Sequence, residues 1–81
     1  MLMNRLKEFR DLHGLTQEEL AERSGVTRQL IGRLETEPGL LVSMSTAVRL
    51  CRYFHADIGR LFWIDWTSAV QTTSILEEVP A

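Results

Sequence analysis

The stretch that decides the fold is Thr16-Gln17-Glu18-Glu19-Leu20-Ala21-Glu22-Arg23-Ser24-Gly25-Val26-Thr27-Arg28-Gln29-Leu30-Ile31-Gly32-Arg33-Leu34-Glu35. Thr16 followed three residues later by Glu19 is a capping box: the Thr16 hydroxyl can accept the Glu19 amide, and the Glu19 carboxylate can accept the Thr16 amide. Leu15, just ahead of the cap, can staple onto Leu20, four places into the helix. The helix so started runs to about Ser24 and stops at Gly25, which tolerates the positive φ needed to reverse the chain. Thr27 caps a second helix, Arg28 to about Glu35, whose Leu30, Ile31 and Leu34 keep a three/four spacing. Ala21 is small enough to let the two helices approach, and Val26 plugs the turn from below.

The second of these helices has an outer face made of Thr27, Arg28, Gln29, Gly32 and Arg33. Those residue types suit the major groove of duplex DNA. Arginine forks onto the two acceptors of guanine, glutamine onto the donor–acceptor pair of adenine, and a threonine methyl touches thymine. Gln17 stands in the first turn of the preceding helix, where amides favour phosphate, so it is a natural backbone clamp.

Working outward, Leu2, Leu6, Phe9 and Leu12 or His13 recur at helical spacing, which predicts a first helix from Leu2 to His13 ended by Gly14. Thr36-Glu37-Pro38-Gly39 breaks the helical pattern. Ser43 then caps a fourth helix with Met44, Ala47, Val48, Cys51 and Phe54 facing inward, and Asp57 caps a short fifth from Ile58 to about Trp63. The expectation is an all-α domain of five short helices over residues 1–64, with its two-helix motif at about 16–35. Residues 65–81, rich in Thr and Ser, read as strand or loop that packs on the outside or on a partner.

At 81 residues the chain is one domain with a small core. Nine Lys+Arg against eleven Asp+Glu give a net charge of −2, where a DNA binder is more often basic. The charges of residues 1–35 balance, and the acidic excess falls in 36–81, so nonspecific affinity is expected to be weak. No apolar run approaches a membrane span, Met1 to Arg10 lacks the apolar block of a secretory signal, and the lone Cys51 fits a reducing compartment, so the expected location is the cytoplasm. Cys51 and His55 stand four apart, but no second Cys/His pair accompanies them as zinc would need. With only His13, His55 and Cys51 as candidate catalytic groups, and no phosphate loop or carboxylate pair, the residues point away from an enzyme and imply no metal and no cofactor.

Residues 4–62 resemble the Xre-type helix-turn-helix family, the fold of the DNA-binding domains of phage Cro and phage repressors. The resemblance rests on Arg5-Leu6-Lys7-Glu8-Phe9-Arg10, on Gly14-Leu15-Thr16-Gln17-Glu18-Glu19-Leu20-Ala21-Glu22, on Ser24-Gly25-Val26-Thr27-Arg28-Gln29 with Ile31, Leu34 and Glu35, and on Ile58 with Leu61-Phe62. It implies a five-helix, lambda-repressor-like fold in which Gln17 grips phosphate and buttresses the reading helix. Arg28, Gln29 and Arg33 would read bases, and Thr27 would touch the backbone. Arg10 and Glu35 would form an internal ion pair, which removes Arg10 from the charges available to DNA. The chain departs from the family in three places: Thr36-Glu37-Pro38-Gly39 replaces the usual Asn-Gly and lacks its lysine, Gly32 replaces a side chain that often faces DNA, and His55 stands where a glycine commonly ends a helix.

Together these readings predict a sequence-specific regulator that binds duplex DNA and represses transcription by occupying a promoter. A homodimer is expected, with Phe62, Trp63 and Trp66 at its interface and two reading helices set on a palindromic operator. The alternative is an antitoxin-type interaction module that binds a toxin through its C-terminal segment, and a third reading is a scaffold that no longer binds DNA.

Overall fold

The computed structural model describes residues 1–69. Residues 70–81 lie outside it, and with them most of the tail expected to pack on the surface or on a partner. In chain order the elements are β1 (Leu2–Asn4), α1 (Leu6–Leu12), α2 (Gln17–Ser24), α3 (Arg28–Thr36), α4 (Met44–Phe54), α5 (Ile58–Leu61), β2 (Phe62–Ile64) and a 3-10 turn over Trp66–Ala69. All five expected helices are present, but the fold is not strictly all-α. β1 and β2 pair antiparallel, with Leu2 opposite Ile64, Met3 opposite Trp63 and Asn4 opposite Phe62.

The ribbon corrects both ends of the helical reading. Leu2 is extended rather than helical, because Asn4 delays the start of α1. The Asn4 Oδ1 accepts the Leu6 amide at 3.0 Å, and its Nδ2 donates to the Leu34 carbonyl at 2.9 Å. At the other end α5 stops at Leu61 instead of Trp63. Phe62 takes φ −128 and ψ 141, the extended backbone that suits the aromatic and β-branched run Phe62-Trp63-Ile64. The Arg5 guanidinium lies 4.5 Å over the Trp63 ring, so the ribbon carries a cation–π contact as well as its ladder. Beyond it, the Asp65 Oδ1 accepts from the Thr67 amide and hydroxyl, which starts the 3-10 turn where strand or loop was expected.

Every helix sends at least one side chain into the core: Leu6 from α1, Leu20 from α2, Ile31 and Leu34 from α3, Ala47, Leu50 and Phe54 from α4, and Leu61 from α5. Two expectations for the core change. Met44 and Val48 of α4 are 68% and 44% exposed, since the buried arc of that helix is centred between Ala47 and Leu50 and turns both away. Phe62, expected at a dimer interface, is enclosed in the chain's own core, where β2 folds back beneath Leu61. Trp66, by contrast, remains exposed.

The caps account for most helix boundaries. Thr16 and Glu19 form the full capping box of α2, while Thr27 and Ser43 accept the amides of Leu30 and Thr46 at 3.2 Å to start α3 and α4. Asp57 stands at the N-cap of α5 with extended backbone, but its side chain makes no capping bond. His55 ends α4 in the left-handed region at φ 51, a conformation that glycine adopts more easily.

Candidate nucleic-acid interface

The unit that matters is α2, the turn at Ser24–Thr27, and α3. Gly25 takes φ +78, so the chain reverses there without the steric penalty a Cβ would bring. The Ser24 hydroxyl donates to the Leu20 carbonyl at 2.7 Å and accepts the Val26 amide at 3.2 Å, which ties the turn to the last coil of α2. Val26 beneath it is buried. From α4, Arg49 donates to the Gly25 carbonyl at 3.1 Å and braces the turn from outside. Sequence reasoning missed this brace, because nothing local to Arg49 announces it.

α3 is sharply two-faced. Ile31 and Leu34 are buried, Gln29 and Arg33 lie exposed on the far side of the helix, and Arg28 and the cap residue Thr27 lie exposed at its start. Among the described residues, Arg28 and Gln29 have no hydrogen-bond or ion-pair partner, so their donors and acceptors face solvent. Arg33 is different. Its Nε donates to one Glu37 oxygen at 2.8 Å and its Nη2 to the other at 3.4 Å, a side-on fork across one helical turn. The i,i+4 spacing was the signal that could have found this pair.

Gln17 reaches over α3 from the first turn of α2, and its Nε2 donates to a Glu35 oxygen at 3.1 Å. Glu35 is itself forked by Arg10, Nε at 2.7 Å and Nη2 at 2.9 Å, while the Arg10 Nη1 donates to the Leu15 carbonyl at 2.8 Å. These contacts join α1, the start of α2 and the end of α3 at one carboxylate, whose side chain is only 3% exposed. Burial alone would raise the Glu35 carboxyl, but the hydrogen bonds from Arg10 and Gln17, with the Arg10 charge, outweigh it and hold the group below the usual carboxylate range.

Gly32 explains why the Gln17 amide is reachable. A Cβ there would meet Gln17 Oε1 at 3.7 Å and Nε2 at 3.9 Å, ordinary contact distances, so the missing side chain leaves the amide uncovered. Gly32→Ala is therefore expected to stabilise the domain by roughly 0.5–1 kcal/mol through helix propensity. Thermal melts check it, and a lower Tm would show that the site is tighter than these distances indicate.

The remaining sequence candidates resolve as follows. Trp63 is half-buried under Arg5 and Trp66 is 62% exposed. Cys51 is half-buried, and burial pushes its thiol up from the ordinary value. No group of three or more His, Cys, Asp or Glu side chains among the described residues is arranged to hold a metal, and no described helix is long and apolar enough to cross a membrane.

Comparison with known proteins bears on this arrangement. Residues 6–61 match the model of the family described as "Helix-turn-helix". An uncharacterized HTH-type transcriptional regulator of Bacillus subtilis, YgzD, is 33% identical over 64 residues, covering 79% of this chain and 96% of that protein. One from Archaeoglobus fulgidus is 41% identical over 64 residues, covering 79% of this chain and 90% of its own length. Another, from Methanocaldococcus jannaschii, is 38% identical over 64 residues, 75% of this chain and 91% of its own.

Proposed function

Given that the chain belongs to the helix-turn-helix family of DNA-binding transcriptional regulators, we propose that it recognises a specific palindromic operator as a homodimer and represses transcription from it. The observation that carries this reading is the state of Arg28 and Gln29. They project from the first turn of α3 with no partner among the described residues, on a helix whose other face is locked into the core by Ile31 and Leu34. Two side chains able to make bidentate contacts are thus presented on a rigid support, which is what base readout requires.

In the complex Arg28, Gln29 and Arg33 read base edges, Thr27 touches the backbone, and the Gln17 amide takes a phosphate while its contact with Glu35 fixes its position. Arg10 takes no part in DNA contact, since its guanidinium is spent on Glu35, Leu15 and Asp11. Repression asks nothing further of the domain, because occupancy alone blocks a promoter. The second copy is accounted for by apolar surface that the protomer leaves open: Val48 and Ile58 across the α4–α5 junction, with Trp66 beyond β2. Pairing would set the two α3 helices about 34 Å apart on successive major grooves.

Selection of binding sites from random duplexes tests the reading, with wild type beside an Arg28→Ala, Gln29→Ala double variant. The expected result is an enriched inverted repeat that the variant no longer selects, since each bidentate pair discriminates by about 1–3 kcal/mol. Enrichment of nothing at low salt would overturn the proposal. Sedimentation equilibrium of wild type, Ile58→Asp and Trp66→Asp would report on the dimer, and a monomeric wild type would remove the palindrome.

A further inference from the structure

We propose that Glu37 is a positioning residue for guanine recognition: it holds the Arg33 guanidinium side-on so that its other edge is presented to the base. The inference rests on the reading above, in which α3 enters the major groove.

A guanidinium has two usable forks, one from Nε and Nη2 and one from Nη1 and Nη2. Glu37 occupies the first, with distances of 2.8 Å to Nε and 3.4 Å to Nη2. The end-on fork is left unoccupied among the described residues, and it matches the paired O6 and N7 acceptors of guanine. One carboxylate thus leaves Arg33 with a free edge of the right shape and biases its rotamers toward that geometry before DNA arrives.

Glu37 is itself well fixed. Its amide donates to the Arg33 carbonyl at 2.8 Å, so it caps the turn of α3 that carries Arg33. Pro38 follows and restricts the chain, and Gly39 turns it at φ +79 against the Met1 side chain. Both Arg33 and Glu37 are about half exposed, and an ion pair so exposed contributes little to folding. A carboxylate at the edge of the interface also repels phosphate, so Glu37 weakens nonspecific attraction in a chain that is already net acidic. Positioning and repulsion both favour the correct site over random DNA.

The test is binding-site selection, with affinity measured against salt, for wild type, Arg33→Ala, Glu37→Ala and Glu37→Gln. Arg33→Ala is expected to abolish a guanine preference at one position of each half-site. Glu37→Ala should reduce that same preference about two- to tenfold, the weight of ordering one long side chain at an interface. It should also raise affinity for random duplex and steepen the salt dependence. Glu37→Gln keeps one acceptor without the charge and should recover part of the guanine preference. A merely structural role for Glu37 would not separate specificity from nonspecific affinity in this way. An unchanged guanine preference in Glu37→Ala overturns the inference, and a sharper one does so too, since Glu37 would then compete with the base. Loss of all enrichment in wild type would instead remove the reading beneath it.

Discussion

Replacing Glu35 with alanine is expected to cost about 3 kcal/mol of stability, the low end of what breaking a buried ion pair costs. In a domain of this size that lowers Tm by roughly 12–24 °C. The loss follows from the arrangement around the carboxylate. Its side chain is 3% exposed and receives two donors from Arg10 and one from Gln17. Without it Arg10, 13% exposed, keeps the Leu15 carbonyl and a longer contact to Asp11, but two of its donors are stranded. An apolar double replacement, Arg10→Met with Glu35→Leu, should recover most of the loss, because no buried charge is then left alone. Denaturant melts of the three variants decide it, and a loss under 1 kcal/mol for Glu35→Ala would show the pair to be solvated.

The same carboxylate gives the domain an acid sensitivity of known sign. Its folded-state value lies below the ordinary 4.5, so the unfolded chain binds this proton more readily than the folded one. The stability it contributes is complete above about pH 4.5 and is lost as pH falls through the folded value. Glu35→Gln should flatten the fall in that window, and it also leaves Gln17 an acceptor.

The second large effect is expected at Ile31. This side chain is fully buried and anchors α3 against the core. Ile31→Ala removes three heavy atoms from a packed site and should cost about 2–5 kcal/mol, transfer and cavity together. A domain of this length has only roughly 4–12 kcal/mol in total, so the variant would approach the unfolding threshold. Leu12→Ala, at a side chain 83% exposed, should change stability by no more than about 0.5 kcal/mol. Urea titration of the pair distinguishes core from surface, and comparable losses in both would contradict the packing described for α3.

Much of the helical frame was legible because its signals are local. The Thr16–Glu19 box, the positive φ of Gly25 and the caps at Thr27 and Ser43 each act within a few residues, so the sequence carries them openly. Long-range features were not. Leu2 sits at helical spacing from Leu6 and Phe9, and a three-residue strand has too little pattern of its own to contest that period; the Asn4 side chain that delays α1 and the partner at Phe62–Ile64 together make it extended. Phe62 was read as interface because the tryptophans beside it drew it outward, whereas the turn into β2 carries it under the core. At the candidate site, exposed Arg28 and Gln29 follow from the helical period alone. The meeting of Arg10 with Glu35 came only with the family resemblance, since the two are 25 residues apart. Glu37 was read as part of a helix-breaking segment, and its backbone does end α3 while its side chain reaches back to Arg33.

The ribbon of β1 and β2 has a kinetic consequence. It joins the two flanks of the helical unit, so the chain between Asn4 and Phe62 must be gathered before it can close. Helical turns nucleate within microseconds from neighbours in sequence, while so distant a pairing waits on loop closure. The five helices would therefore collapse first and the seam would zip last. Two three-residue strands are marginal alone and depend on the packed surface beneath them. The outer end of the seam, where Leu2 faces Ile64, is thus expected to open at lower free energy than the helical core, while Phe62 holds the inner end and the reading helix stays anchored through Ile31 and Leu34.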